Sequence, residues 1–325
     1  MTTDRPVKRL AIVGAGNHAR DQHYPPMRTI DEIDLCAACD LDAEKLERVK
    51  AEYGVPATYT DYRVMIEAES PDAVVLVMRP MEMLEVALGC LDMGQHIMIE
   101  KPPGCSVADA EAILERSREA GCKVMVSVNR RFIPLIRDLK AMASERGVVQ
   151  ISSTYNKAGF TGDAWNWPAP LILADSIHNV DLMRWVGGDV AEVFSASAAR
   201  DAEYKNAHSA TVVYESGASG TINSHLCVGE RVHQFEIHAM GMSAYLNVGD
   251  TRAPSCELYL DGERADPPTY EVDLPDDVGI ENYYETLHFA RWIAGDDVGE
   301  ADLADVLDSV RLAEAISNGY RGPMV

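Results

Sequence analysis

Between residues 9 and 127, short apolar runs alternate with longer segments in which apolar residues recur every three or four positions. The short runs, at 9–13, 35–39, 73–78, 96–99 and 123–127, have the length of strands, while 42–53, 82–93 and 107–120 carry the helical period. The last of these is bracketed by Ser106 as a start and Gly121 as a stop. Strands alternating with helices predict βαβ units and a parallel sheet. After Phe132 the pattern changes: strand-like runs at 148–156, 190–198, 209–214, 219–226, 234–239 and 244–248 follow one another across turns. That texture predicts a largely antiparallel or mixed sheet, interrupted by a helix at 175–185 and closed by helices at 282–294 and 303–318. The expected division is an α/β domain over 1–128 and an α+β domain over 129–325, with the closing helices free to join either.

Composition narrows the partners. A formal charge of −23 and a pI near 4.7 repel polyanions, which argues against nucleic acid and anionic membrane surfaces. The longest uninterrupted apolar stretch, 73–78, is far too short to span a bilayer, and the first nine residues, Met1 to Arg9, show no signal-peptide pattern, so a cytoplasmic protein is expected. Seven cysteines, an odd number, fit reduced thiols. Cys36 and Cys39 form a C-x-x-C, but on a strand residues three apart point to opposite faces, which suits neither a dithiol couple nor a metal. The same holds for His233 and His238, five apart. No metal centre is expected, and no G-x-S-x-G elbow offers a serine nucleophile.

The chemistry is concentrated where strands end. Gly14-Ala-Gly16-Asn17-His18-Ala19 follows the first strand as G-x-G-x-x-A: Gly14 for a tight turn, Gly16 for backbone approach to a pyrophosphate, and Ala19 for close helix packing. The second strand is followed by Asp40, whose carboxylate can accept both adenosine ribose hydroxyls and repels a 2′-phosphate. Leu41 supplies no compensating cation, so NAD is favoured over NADP. Among possible bases, His178 has the side chain that titrates nearest neutrality.

With Glu100-Lys101-Pro102 after the fourth strand, Asn129-Arg-Arg-Phe132 and His178-Asn-Val-Asp181, the sequence resembles the glucose-fructose oxidoreductase, inositol dehydrogenase and rhizopine-catabolism family over nearly its whole length. The resemblance implies a doubly wound Rossmann domain followed by an open-faced mixed-sheet domain that often pairs subunits, here as a homodimer or homotetramer. It implies oxidation or reduction of a secondary hydroxyl on a sugar, inositol or sugar-acid-like substrate, with Lys101 stabilising alkoxide and His178 as acid–base. Gly14, Gly16, Asn17, His18, Asp40, Met78, Arg79, Glu100 and Lys101 are the expected cofactor contacts. Asn129, Arg130, Tyr155, Trp165, Trp167 and Asp181 are the candidates for the substrate. Two departures stand out. Ala174 occupies the place of a family aspartate, leaving Asp175 either to replace it or to cap the helix, and Met78-Arg79 stands where relatives often carry Thr-Pro. A nucleotide-binding sensor that has lost catalysis, or a lyase or glycosidase that recycles NAD, are the alternative readings.

Overall fold

The computed structural model describes residues 5–158, 168–226, 228–251, 253–296 and 299–324. Its first part runs β1 (Lys8–Val13), α1 (Asn17–Gln22), α2 (Tyr24–Thr29), β2 (Ile33–Cys39), α3 (Ala43–Tyr53), β3 (Ala57–Tyr59), α4 (Tyr62–Glu69), β4 (Ala73–Leu76), α5 (Pro80–Asp92), β5 (His96–Glu100), α6 (Val107–Ala120) and β6 (Val124–Ser127). The six strands form one parallel sheet in the order β3-β2-β1-β4-β5-β6. Continuous apolar runs make this arrangement possible, because a parallel sheet covered by helices buries both faces of its central strands. Leu10–Ile12 and all of β4 are indeed fully buried. The strand order reverses between β1 and β4, so their carboxyl ends flank the crevice in which such sheets bind ligands.

A 3-10 turn at Asn129–Phe132 leads into α7 (Pro134–Arg146), β7 (Val148–Lys157), α8 (Leu171–Ala174), α9 (Ile177–Gly187), β8 (Val190–Ala198), β9 (Ala207–Tyr214), β10 (Ser219–Leu226), β11 (Val232–Ala239), β12 (Met242–Asn247), β13 (Ser255–Leu260) and β14 (Glu263–Ala265). The chain closes with α10 (Ile280–Ala294), α11 (Leu303–Asn318) and β15 (Arg321–Pro323). Among the described residues, nine strands make a second, mixed sheet ordered β14-β13-β12-β11-β7-β10-β9-β8-β15, in which only β7 and β10 run parallel. Alternation along β10 and β11 buries Ile222, Leu226, Phe235 and Ile237 on the face that α7 and α9 cover. No described helix is long and apolar enough to cross a membrane.

Two compact units result, one from Met1–Gly104, Ala108–Asn129 and Asp273–Val306, the other from Cys105–Val107, Arg130–Val272 and Leu307–Val325. Residues 273–306 therefore belong with the parallel sheet, where a single cut after 128 would separate them from it. Polar ties explain why. Arg291 on α10 donates to Glu32 at 2.7 Å, Ser127 Oγ to Glu285 at 2.8 Å, and the Val126 N–H to the Ala301 carbonyl at 2.9 Å.

Candidate functional site

In the first unit, the glycine turn is knotted to its neighbours. Gly14 sits at φ +122°, and a Cβ there would stand 2.1 Å from the Val77 carbonyl oxygen, so only glycine fits for reasons of both conformation and space. Its N–H donates to the Cys39 carbonyl at 2.7 Å, and the Tyr24 hydroxyl donates to its own carbonyl at 3.1 Å. Gly16 differs: a Cβ there would meet nothing within 4 Å, which leaves its backbone open to a ligand. Asp40 follows β2 directly. Its Oδ2 accepts from the Ala15 N–H at 2.8 Å and its Oδ1 from the Asp42 N–H at 2.9 Å, so the carboxylate also braces the turn. Lys45, which the sequence reading passed over, brings its ammonium to 3.9 Å from Asp40; placed in the first turn of α3, it supplies the cation that Leu41 does not. Arg79 caps the start of α5 just beyond β4, exposed and paired with Glu82.

Glu100 ends β5, and its carboxylate gathers three donors. Oε1 lies 2.9 Å from Nε2 of both His18 and His23, while Oε2 accepts from the Lys101 N–H at 3.0 Å. Burial by itself would raise Glu100, but the charge of His18 and the hydrogen bonds from both imidazoles hold its carboxyl well below the usual carboxylate range. The Glu100 charge in turn raises His18. His23 was absent from the expected contacts, and no sequence spacing links it to Glu100. Lys101 is half-buried and joined to Pro102 by a cis peptide. Asn129 donates to Asn282, which donates on to Gln22 at 2.6 Å, an arrangement that ties the turn after β6 and α1 to α10.

In the second unit, a polar row crosses the buried face of the sheet. Tyr155 on β7 is in register with Ser224 on β10 and His233 on β11. Each meets a polar group from outside the sheet. Ser224 Oγ donates to Ser176 Oγ at 2.7 Å, and Arg130 Nε donates to His233 Nδ1 at 3.2 Å. The Tyr155 ring stands edge-on to His233, and burial reinforced by the Asp175 carboxylate pushes its hydroxyl up to about 12. Burial, with Arg130 and Arg231 nearby, drives His233 well below the normal imidazole range, so it is neutral at physiological pH.

Asp175 does not N-cap α9; it is the C-cap of α8, its N–H donating to the Leu171 carbonyl. It occupies the corner between α8 and α9, Ser176 takes the N-cap position, and the Asp175 carboxylate instead meets Lys157 Nζ at 2.6 Å. His178 lies in the first turn of α9, buried beside that corner. Asp181 is removed from the set expected to touch substrate or orient His178. Its carboxylate is gripped by Arg131 at 2.5 and 2.8 Å and accepts from Ser309 at 2.8 Å, all in the core. Trp165 and Trp167 fall outside the described residues. In this second unit, Lys157 and His233 are candidate residues that sequence reasoning missed. Their available signal was a polar residue at an inward position of a strand, legible only once the register is known.

Residues 8–128 match the model of an oxidoreductase family with an NAD-binding Rossmann fold. Over 191 residues, 57% of this chain and 60% of the relative's length, the sequence is 29% identical to 4-carboxy-2-hydroxymuconate-6-semialdehyde dehydrogenase of a Sphingobium species. It is likewise 29% identical to myo-inositol 2-dehydrogenase of Thermotoga maritima over 66% of this chain and 68% of that one. Among solved structures, a dehydrogenase from Chromobacterium violaceum superposes with a TM-score of 0.85 at 21% identity, covering 97% of this chain and 95% of the other.

Proposed function

We propose that the chain is a member of the glucose-fructose oxidoreductase, inositol dehydrogenase and rhizopine-catabolism family, and that it is an NAD-dependent dehydrogenase interconverting a secondary hydroxyl and a ketone on a sugar, inositol or sugar-acid-like substrate; the family match over residues 8–128 and the likeness to inositol dehydrogenases support this reading. The observation that carries the reading is the glycine turn at the switch point of the parallel sheet, open at Gly16 and followed across β2 by an acid. These residues suit a dinucleotide. Gly16, Asn17 and His18 line the turn, Met78 and Arg79 follow β4, and Asp40 keeps lone pairs for ribose hydroxyls. Repulsion of a 2′-phosphate by Asp40 favours NAD, moderated by Lys45. When bound, the nicotinamide supplies the hydride acceptor.

The protein supplies the proton chemistry, because an alcohol gives up hydride readily only as its oxygen loses its proton. We assign His178 the role of accepting that proton and the Lys101 ammonium that of donating to the oxygen as negative charge develops. Asp175, held by Lys157, takes the place of the aspartate missing at Ala174 and orders the corner that carries His178. Tyr155 and Arg130 border the substrate. Copies pair through the exposed face of the second sheet, where Phe194 and Tyr245 lie open.

The test is a screen of sugars, inositols and sugar acids with NAD and NADP, read by absorbance of the reduced nicotinamide, alongside Lys101→Ala and His178→Ala. The expected result is net NADH accumulation that either substitution lowers by at least about a hundredfold. Turnover without accumulation would mean that the cofactor is recycled, and undiminished rates in both variants would remove the assigned roles.

A further inference from the structure

His18 on α1 and His23 between α1 and α2 meet Glu100 at the end of β5 in a geometry that neither hydride transfer nor dinucleotide binding requires. His18 Nε2, His23 Nε2 and Glu100 Oε1 all lie within 4.8 Å of one another. We propose that these three residues bind one divalent d-block cation, with Zn²⁺ the best match.

The donor set decides the kind of ion. Two imidazoles and one carboxylate form a ligand set that zinc takes when three protein groups leave a further position open. Imidazole also selects zinc, cobalt or nickel over magnesium and calcium, which prefer oxygen. A tetrahedral ion with bonds of about 2.1 Å holds its ligands roughly 3.4 Å apart. The present 2.9 Å separations between each imidazole and Glu100 therefore need to open by only about half an ångström.

The surroundings are built to hold the ligands still. His23 and Glu100 are 2% and 6% exposed, and the second carboxylate oxygen is fixed by the Lys101 N–H. Such outer contacts orient first ligands and sharpen affinity. His18 is the exception, its side chain 53% exposed, and it provides both the route of entry and the freedom to adjust. A cation here would also compensate the charge of the buried Glu100 carboxylate.

The inference stands on the first unit alone and goes beyond the proposed dehydrogenase activity, so its test omits nucleotide and substrate. The full-length chain, treated with chelator and dialysed, is titrated with Zn²⁺ by calorimetry and with Co²⁺ by visible absorption. One equivalent should bind, with His18→Gln and Glu100→Gln each weakening binding at least tenfold. His18→Gln alters a largely exposed side chain and keeps the test decisive if the buried substitution unfolds the protein. Failure to bind near one equivalent, affinity unchanged in His18→Gln, or Co²⁺ bands of thiolate coordination pointing to the cysteines would each overturn the site.

Discussion

His208 shows how a single buried ring sets a pH limit. It is 1% exposed on β9, its Nδ1 2.7 Å from Ser197 Oγ, whose hydroxyl donates to the Ile316 carbonyl at 2.6 Å. Burial, with Lys205 and His225 adding positive charge nearby, pushes it down to about 4 from 6.5, against a raising hydrogen bond to the Lys205 backbone. Between those values the unfolded chain takes up a proton that the folded chain refuses. Stability is thus unaffected above pH 6.5 and falls as pH drops towards 4, by roughly 3 kcal/mol for this residue. Urea midpoints at pH 7, 5.5 and 4.5 should show that decline, and His208→Asn should flatten much of it. An equally steep profile in the variant would refute the assignment. Single residues were legible in the sequence where their chemistry is local, as at Gly14, Gly16 and Asp40. They were not where the partner is distant: Glu100 lies 77 positions from His23, and Arg131 lies 50 from Asp181.

At the scale of elements, α9 is pinned by charge. Arg131 and Asp181 are 1% and 2% exposed, and Ser309 on α11 donates to Asp181 while accepting from Arg184 at 2.9 Å. Removing one partner strands a charge in the core, so Asp181→Asn should cost about 3–5 kcal/mol. A thermal melt should register this as a drop of many degrees, and the paired apolar replacement Arg131→Met with Asp181→Leu should recover part of it; no recovery would mean that the pair is not the cause. Strands with a strong apolar alternation, such as β8 and β10, were read from the sequence to the residue. β13, β14 and β15 were missed because they are edge or near-edge strands burying little, Leu258 being the one buried residue of β13, and β15 is three residues ending in proline. The helix read as 175–185 begins two residues later because Asp175 closes α8 and its side chain faces Lys157 on β7 instead of N-capping α9.

For the whole molecule, chain order and unit membership disagree. The parallel sheet is completed by residues 273–306, through Arg291 with Glu32 and Asn282 with Gln22. A fragment of residues 1–129 should therefore be poorly folded, whereas the same fragment joined by a flexible linker to 273–306 should show a cooperative melt and quench its fluorescence on titration with NADH. A stable, NADH-binding 1–129 fragment would contradict this division. Periodicity, glycine placement and the acid after the second strand were enough to determine the two sheets and the dinucleotide turn, because those features follow from local backbone geometry and from which face of a segment avoids water. Tertiary structure alone decided which carboxylate each buried cation meets, that Lys45 stands beside Asp40, and that α10 returns to the first sheet. Those pairings arise from contacts between residues far apart in the chain, whose energies depend on strand register and burial that no local pattern encodes.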